Sequence, residues 1–216
     1  MKGLLITFEG TEGSGKTTQI SLLAEHLRSL GYTVRTTREP GGTPIGEEIR
    51  HTLKHSSANQ AMTAEAELLL MNASRAQLVR EVIRPALAAG EIILCDRFYD
   101  STTAYQGHGR GLDLAMVKTM IDLAVGNTRP DLTLLMLLSH EVSAERLLAR
   151  QATLPFMRDR IEEADRGFFE RVAKGYRAIA AAEPQRVRQI DANKPLERAE
   201  AVIWSLVEPL LPPPPG

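Results

Sequence analysis

The sequence predicts one α/β domain with a doubly wound, five-stranded parallel sheet and helices on both faces. Five short segments rich in apolar or β-branched residues are separated by longer helix-prone segments, and this regular alternation is typical of such a sheet. The first strand leads into a glycine-rich loop and then a helix, an order that many parallel sheets use to bind phosphate groups. With 216 residues, of which 43 % are hydrophobic, the chain is long enough to bury one large core.

The glycine-rich loop carries the clearest chemical signal of the chain. Residues 10–17 match G-x-x-x-x-G-K-[ST] at every fixed position, between the apolar segment 4–9 and the helix-prone segment 17–30. Backbone N–H groups of such a loop point at an anion, and the helix N-terminus adds positive potential. Lys16 can reach the β- and γ-phosphates of a nucleotide, and the Thr17 hydroxyl can bind Mg²⁺. The loop residues predicted to contact ATP are Gly10, Thr11, Glu12, Gly13, Ser14, Gly15, Lys16, Thr17 and Thr18.

The remaining elements follow in the same alternation. Further strands are predicted at 32–37, 92–96, 131–138 and 186–190. Helices are predicted at 45–53, 63–89, 112–125, 142–150, 161–182 and 196–208. Pro85 must bend the long segment 63–89 or start a new turn there. No repeat or linker divides the chain, so we expect a single domain over residues 1–211 and a proline-rich tail over 212–216.

One acidic residue is placed where it can help the loop. Asp96 follows four apolar residues of the predicted strand 92–96. Because the carboxyl ends of parallel strands lie at one edge of the sheet, Asp96 is expected beside the phosphate-binding loop. A carboxylate there can hold Mg²⁺, partly through water. Thr17 and Asp96 are therefore the predicted metal ligands.

Composition argues against several classes of protein. The formal net charge is −1, which does not favour a protein that coats nucleic acid or a membrane surface. Cys95 is the single cysteine and fits a reducing compartment. We expect no secretory signal, since the N-terminus lacks a basic region followed by a long apolar one. We expect no membrane span, since no apolar run approaches the roughly 20 residues that a span needs. These features predict a cytoplasmic enzyme without nucleic-acid or membrane partners.

Three classes of phosphate-loop protein remain to be compared. A GTPase would need N-K-x-D to bind guanine, and residues 193–196 read Asn-Lys-Pro-Leu, with leucine in place of the carboxylate. A motor or transport ATPase is usually longer. A small-molecule kinase needs arginines around an acceptor and on a lid that covers the transferred phosphoryl group. The chain offers Arg38, Arg75 and Arg97 for the acceptor and Arg150, Arg158 and Arg160 for a lid at about 150–160.

Over almost its whole length, the sequence resembles the bacterial thymidylate kinases. The matching stretches are 8–19 (FEGTEGSGKTTQ), 38–43 (REPGGT), 73–75 (ASR), 96–98 (DRF), 104–107 (AYQG), 129–133 (RPDLT), 159–162 (DRIE) and 191–192 (DA). The REPGGT and AYQG stretches are specific to that family, whereas the phosphate loop alone is not. The resemblance implies a P-loop kinase fold and Mg²⁺-dependent transfer of the ATP γ-phosphate to dTMP, giving dTDP and ADP for dTTP synthesis. It also implies a homodimer, formed by the helices after the second and third strands.

The resemblance implies a role for each candidate residue. Lys16, Asp96, Arg97 and the lid arginines Arg150, Arg158 and Arg160 would be catalytic. Arg146 and the backbone near Ala192 would line the adenine site. Glu12 would face the 3′-OH, Tyr105 would pack on the deoxyribose, and Arg97 and Arg38 would hold the acceptor phosphate. Arg75 would bind the pyrimidine edge, with Gln106 and Ser101 nearby. The residues implied to bind dTMP are Glu12, Arg38, Pro40, Met71, Arg75, Arg97, Ser101, Tyr105 and Gln106.

The residues alone leave alternatives open. On spacing alone, Arg75 is also compatible with a salt-bridged helix position, Tyr105 with a core position, and Arg158 or Arg160 with solvated charges. Met71 stands where the family usually has an aromatic residue, commonly Phe, over the thymine ring. Methionine can cover the ring, but it lacks the aromatic stacking contribution of about 0.5–1.5 kcal/mol. Another nucleoside monophosphate kinase is the alternative activity, and a regulatory phosphate-loop protein is the alternative outside enzymes.

Overall fold

Five parallel strands form the centre of the molecule in the order β2–β3–β1–β4–β5. The computed structural model describes residues 3–139, 142–143, 145–146 and 165–213. The strands are β1 (Leu4–Glu9), β2 (Val34–Arg38), β3 (Ile92–Asp96), β4 (Leu132–Leu137) and β5 (Val187–Asp191). Each corresponds to a predicted strand, shifted by no more than two residues at either end, and the predicted fold class is confirmed.

Helices cover both faces of this sheet. They are α1 (Lys16–Ser29), α2 (Pro44–Lys54), α3 (Ala64–Leu78), α4 (Arg84–Ala88), α5 (Tyr99–Thr102), α6 (Leu114–Val125), α7 (Arg166–Ala182) and α8 (Leu196–Val207). Shorter helical turns lie at Ser57–Ala61 and Glu208–Leu210. Within the described residues, no helix is long and apolar enough to cross a membrane.

Alternation along β1 assigns its side chains to the two faces of the sheet. Leu4, Ile6 and Phe8 belong to a core formed with α1 and α8. Leu5 belongs to a second core, formed with α3, α6 and the segment around Phe98. All six residues of β1 are buried, as expected of a central parallel strand. The same alternation turns Glu9, the last residue of β1, toward the second face.

Strand register brings the functional chain segments together at the carboxyl edge. Asp96 pairs with Phe8 of β1 on one side and with Arg38 of β2 on the other. The loop after β1, the loop after β2 and the segment after β3 therefore leave the sheet side by side. This is the edge at which open α/β sheets bind ligands.

Two helical segments differ from the expectation. The predicted helix 63–89 is interrupted by a π-helical turn at Val79–Ile83, and α4 then starts with Pro85 in its first turn. Proline is tolerated there because its missing N–H is not needed in a first turn. No helix is predicted over residues 101–111, which are polar and then glycine-rich, yet α5 continues into a π-helical segment at Thr103–Gly109. Packing against α7 and α6 holds this segment helical despite its glycines.

Of the predicted helix 142–150, residues 142, 143, 145 and 146 are described and are helical. The lid arginines Arg150, Arg158 and Arg160 lie outside the described residues, as do residues 161–164 at the start of the predicted helix 161–182.

Candidate active site

The phosphate-binding loop has the backbone conformation that its glycines allow. Gly10, Gly13 and Gly15 have φ angles of 131°, 75° and 84°, values that favour glycine. A Cβ atom at Gly10 would collide with the carbonyl oxygen of Met136 on the neighbouring strand. No side chain from the described residues caps the start of α1, so the first N–H groups of α1 face the loop.

Lys16 closes the loop from within. Its ammonium group donates to the carbonyl oxygens of Gly10 and Thr11 at 3.1 and 2.9 Å, and the residue is only 7 % exposed. Burial, together with the nearby Arg97 charge, lowers the pKa of Lys16 to about 8, while Asp96 and Glu12 oppose this shift. An additional anion beside the ammonium group would favour its charged form.

Thr17 and Asp96 form the predicted metal-binding pair. The Thr17 hydroxyl donates to Asp96 Oδ2 at 3.1 Å. A hydroxyl and a carboxylate are oxygen ligands of the kind Mg²⁺ accepts, and Mg²⁺ usually completes its shell with phosphates and water. This pair therefore fits the ion. The described residues contain no cluster of three or more His, Cys, Asp or Glu side chains that would form an all-protein metal site.

Arg97 and Glu12 connect the phosphate loop to a neighbouring cavity, here called the second cavity because it lies beside the phosphate-binding site. Arg97 Nη2 donates to Glu12 Oε1 at 2.6 Å, and the Tyr105 hydroxyl donates to Glu12 Oε2 at 2.9 Å. Although burial acts to raise it, the positive charges of Arg97 and Lys16 hold the pKa of Glu12 at about 2. Arg97 has a φ angle of 67°, rare for a residue with a side chain, and strained backbone of this kind is often found at functional sites.

Glu9 is a site residue that the sequence pattern did not indicate. It is completely buried and accepts from the backbone N–H of Phe98 at 2.8 Å. It also accepts from the hydroxyls of Ser101 and Tyr176 at 2.5 and 3.0 Å. Burial, with a smaller contribution from Asp100, raises the pKa of Glu9 to about 7. Its position as the last residue of β1, alternating with the core residue Phe8, is the signal that could have found it.

The second cavity has a volume of about 680 Å³, including its open mouth. Every residue predicted to bind dTMP lines it, from Glu12 and Arg38 to Tyr105 and Gln106. Asp96 also lines it, so the predicted acceptor site and metal site share one wall. The lining residues that had not been predicted are Glu39, Arg50, Lys54, Phe98 and Thr102. Arg50 and Lys54 lie one turn apart on α2, a spacing that could have indicated a shared basic face.

Two arginines of the cavity have different surroundings. Arg38 is 54 % exposed and pairs with Glu47 at 2.9 Å. Arg75 is 2 % exposed and pairs with Glu39 at 2.7 Å. Burial raises the pKa of Glu39 to about 7 even though Arg75 opposes the shift. Arg75 is thus a salt-bridged helix residue that also lines the cavity, and its contact with a pyrimidine stays a prediction.

Three other predicted residues, Ser101, Met71 and Tyr105, line the cavity and also contact the protein interior. Ser101 lines the cavity, but its hydroxyl donates to Glu9. Met71 is half-buried against a core cluster that includes Tyr105 and Phe168. Tyr105 is itself 4 % exposed and contacts the cavity, so it is a core residue with one polar end in the site.

The opposite side of the phosphate loop carries the predicted adenine residues. Arg146 donates to the carbonyl oxygens of Gly13 and Ala192, each at 3.1 Å. Ser143, on the same turn, donates to the carbonyl oxygen of Glu12 at 2.8 Å. Arg146 and Ala192 therefore lie next to one another and next to the loop, as the resemblance implied.

Comparisons with known proteins agree with this geometry. A family model described as thymidylate kinase matches residues 8–203. A thymidylate kinase of Syntrophotalea carbinolica is 50 % identical over 200 residues, covering 92 % of each chain. One from Synechococcus sp. (strain JA-2-3B'a(2-13)) is 48 % identical over 209 residues, covering 97 % of this chain and 96 % of the relative. The crystal structure of thymidylate kinase from Ehrlichia chaffeensis superposes with a TM-score of 0.75 at 32 % identity, covering 96 % of this chain and 99 % of that one. The chain belongs to the thymidylate kinase family.

Proposed function

We propose that the protein transfers the γ-phosphoryl group of ATP to dTMP in a Mg²⁺-dependent reaction, giving dTDP and ADP. As a member of its family, the chain is a nucleoside monophosphate kinase that uses ATP. The observation that carries the residue-level proposal is the Arg97–Glu12 pair, because it joins the phosphate loop to the acceptor cavity. A donor phosphate in the loop and an acceptor phosphate at Arg97 would be neighbours, and positioning of this kind is the main source of catalysis in phosphoryl transfer.

On the donor side, the loop residues and Lys16 bind the phosphates, and Arg146 packs against adenine near Ala192. Thr17 and Asp96 hold Mg²⁺, partly through water. When bound, the ion neutralises charge on the β- and γ-phosphates. Lys16 places a second positive charge at the same oxygens. Arg150, Arg158 and Arg160, in the proposed lid at about 150–160, supply further charge stabilisation to the transferred group.

On the acceptor side, the cavity has a cationic end and a base end. Arg97 and Arg38 hold the dTMP phosphate, while Arg50 and Lys54 add positive charge to the same wall. Glu12, ionised in its pair with Arg97, accepts a hydrogen bond from the 3′-OH. Tyr105 packs on the deoxyribose, with Pro40 and Ser101 completing the wall. Arg75, Gln106 and Met71 contact the base.

A homodimer is the proposed assembly. Exposed apolar side chains lie on the two helices that the resemblance assigned to the interface: Leu69 on α3 is 56 % exposed and Leu123 on α6 is 72 % exposed. Exposed apolar residues on neighbouring helices favour association. Light scattering at micromolar concentration should give twice the chain mass, and a monomer would refute the proposal. We further propose a single domain over residues 1–211 that works in the cytoplasm in dTTP synthesis.

An acceptor panel tests the activity. ADP release with ATP and Mg²⁺ is measured separately with dTMP, dUMP, UMP, CMP and AMP. We expect dTMP to give the highest kcat/KM and chelation of the metal to abolish turnover. Faster turnover of UMP or CMP would favour another nucleoside monophosphate kinase, and failure of every acceptor to stimulate ADP release would favour a regulatory role.

A further inference from the structure

Three hydrogen-bonded polar side chains lie behind the proposed base end of the cavity. Glu67 of α3 is completely buried, and Gln106 of the π-helical segment is 2 % exposed. Gln106 Nε2 donates to Glu67 Oε1 at 2.7 Å. Arg110 donates to both carboxylate oxygens of Glu67, at 3.2 and 3.0 Å. The three side chains therefore form one connected unit, of which only Gln106 reaches the acceptor cavity.

The chemistry of this unit fixes the orientation of the Gln106 amide. A carboxylate paired with arginine through both oxygens accepts hydrogen bonds and donates none. If the Gln106 amide were reversed, its carbonyl oxygen would face a carboxylate oxygen, and two buried acceptors would meet without a proton between them. Glu67 therefore selects the orientation in which the NH₂ group points away from the cavity. The orientation follows from charge and does not depend on how the amide atoms are assigned.

The carbonyl oxygen of Gln106 is then the hydrogen-bonding atom that the side chain offers to the cavity. Among the described residues, none donates to this oxygen. Arg75, which also lines the cavity, has only donors. The base end thus presents a fixed acceptor and a fixed donor.

This pair matches one class of pyrimidine and opposes the other. Thymine and uracil carry an N3–H donor beside an O4 acceptor, whereas cytosine carries an N3 acceptor beside an N4 amino donor. The Gln106 oxygen complements N3–H, and the Arg75 guanidinium complements O4. With cytosine, the Gln106 oxygen would face the N3 acceptor and the Arg75 guanidinium would face the N4 donor, so neither hydrogen bond could form. Sites with buried polar groups discriminate strongly when a ligand leaves those groups unpaired.

We propose that Glu67 and Arg110 act as a positioning pair that fixes the Gln106 amide and thereby selects monophosphates of 4-oxo pyrimidines over those of 4-amino pyrimidines. This inference rests on the proposed function, since it takes dTMP as the acceptor whose base lies at Arg75 and Gln106. Neither Glu67 nor Arg110 lines the cavity, so the pair acts through Gln106.

The test compares kcat/KM for dTMP with kcat/KM for dCMP. In Glu67→Gln the partner of Gln106 becomes a neutral amide, and both orientations of Gln106 can be satisfied. We expect the dTMP/dCMP ratio to fall by about tenfold, the size of one net hydrogen bond, mainly through a higher KM for dTMP. Glu65→Gln, the same change at an exposed position of α3, should leave the ratio unchanged. Loss of structure alone would lower both activities together and would not move the ratio.

Because Glu67 is completely buried, a second variant covers the case in which Glu67→Gln fails to fold. Arg110 is 20 % exposed, and Arg110→Ala removes the guanidinium that donates to both carboxylate oxygens of Glu67. Without that guanidinium the Glu67 carboxylate is held less firmly opposite Gln106, so this variant should also lower the dTMP/dCMP ratio. If the native enzyme prefers dTMP and either folded variant keeps the native ratio, the positioning role is refuted while the activity stands. If the native enzyme shows no dTMP-stimulated ADP release, the proposed function itself fails.

Discussion

The two ends of the active site are built in opposite ways. The donor end consists mainly of the consecutive residues 10–18, and its geometry follows from one strand, one loop and one helix N-terminus. The acceptor end is assembled from the loop after β1, the loop after β2, helices α2 and α3 and the segment after β3. A local site is specified by a local pattern. A dispersed site depends on strand register, and its components must be tested one by one.

The largest expected effect is at the donor end. Lys16→Ala removes the ammonium group that the loop encloses, so phosphate charge in the transition state loses its nearest partner. We expect kcat to fall about a thousandfold with every acceptor, a loss typical of removing one group that stabilises developing charge. The measurement is steady-state ADP release at saturating ATP and dTMP.

Lys174→Ala is the matched control, because it removes an exposed lysine from α7. This control should keep native kcat. A Lys16→Ala enzyme that retained more than a tenth of native kcat would contradict the placement of the γ-phosphate at this loop.

Arg97 tests the junction between the two ends. Arg97→Ala removes the proposed acceptor-phosphate contact and the arginine of the Glu12 ion pair. We expect kcat/KM to fall about a hundredfold for dTMP and dUMP alike, since a phosphate contact is indifferent to the base. Arg35→Ala removes an arginine from an exposed pair with Glu91 and should have no such effect. A loss confined to dTMP would instead place Arg97 at the base.

This contrast also explains how much the sequence could predict. The positions of the strands, of most helices and of the phosphate-binding loop follow from alternation and from the loop motif, because both are local. Gln106, and the base-binding role of Arg75, were found only through resemblance to a family, since helical spacing alone gives no reason to bring them into one cavity. Glu9 was missed although its place at the end of a buried strand is the pattern that identified Asp96. Glu67 was missed because an acidic residue in a leucine-rich helix carries no functional pattern. Only the tertiary structure shows which partners surround them.

A third test concerns the stability contributed by Glu9, which accepts hydrogen bonds from the cavity residues Phe98 and Ser101. The pKa of Glu9 is raised from 4.5 to about 7 by burial and by Asp100. Between these values, the folded chain holds a proton that the unfolded chain has released. The stabilisation is therefore fully present below pH 4.5 and is lost as the pH rises through 7. The shift corresponds to about 2 kcal/mol between pH 5 and 8.

Urea unfolding at pH 5 and pH 8 measures this effect. The free energy of unfolding of the native chain should be lower at pH 8 than at pH 5. In Glu9→Gln this decrease should be smaller by about 2 kcal/mol. The pKa of Glu39 is also raised to about 7, so the free energy of unfolding will still decrease with pH in both proteins. Glu25→Gln, at an exposed position of α1, serves as the control. Equal slopes in the native chain and Glu9→Gln would show that Glu9 is ionised throughout this range.

The smallest effect is expected at Met71, where a substitution should change dTMP binding at the acceptor end and leave ATP binding at the donor end unchanged. Met71 lines the cavity and packs against the cluster around Tyr105 and Phe168, so a planar ring at this position could lie on the base. Met71→Phe should tighten dTMP binding by about 0.5–1.5 kcal/mol, or roughly two- to tenfold, while ATP binding stays unchanged. Overpacking against the cluster would reduce this gain.

Met71→Ala provides the opposite change at the same position. It should weaken dTMP binding by more than Met71→Phe strengthens it, because it uncovers the ring face and leaves a void. Calorimetric titrations with dTMP and, separately, with ATP measure both variants. If Met71→Ala left dTMP affinity intact and lowered only the thermal stability, Met71 would be a core residue. The base would then lie elsewhere in the cavity, and the proposed base contacts of Arg75 and Gln106 would have to be tested again, since they were assigned together with that of Met71.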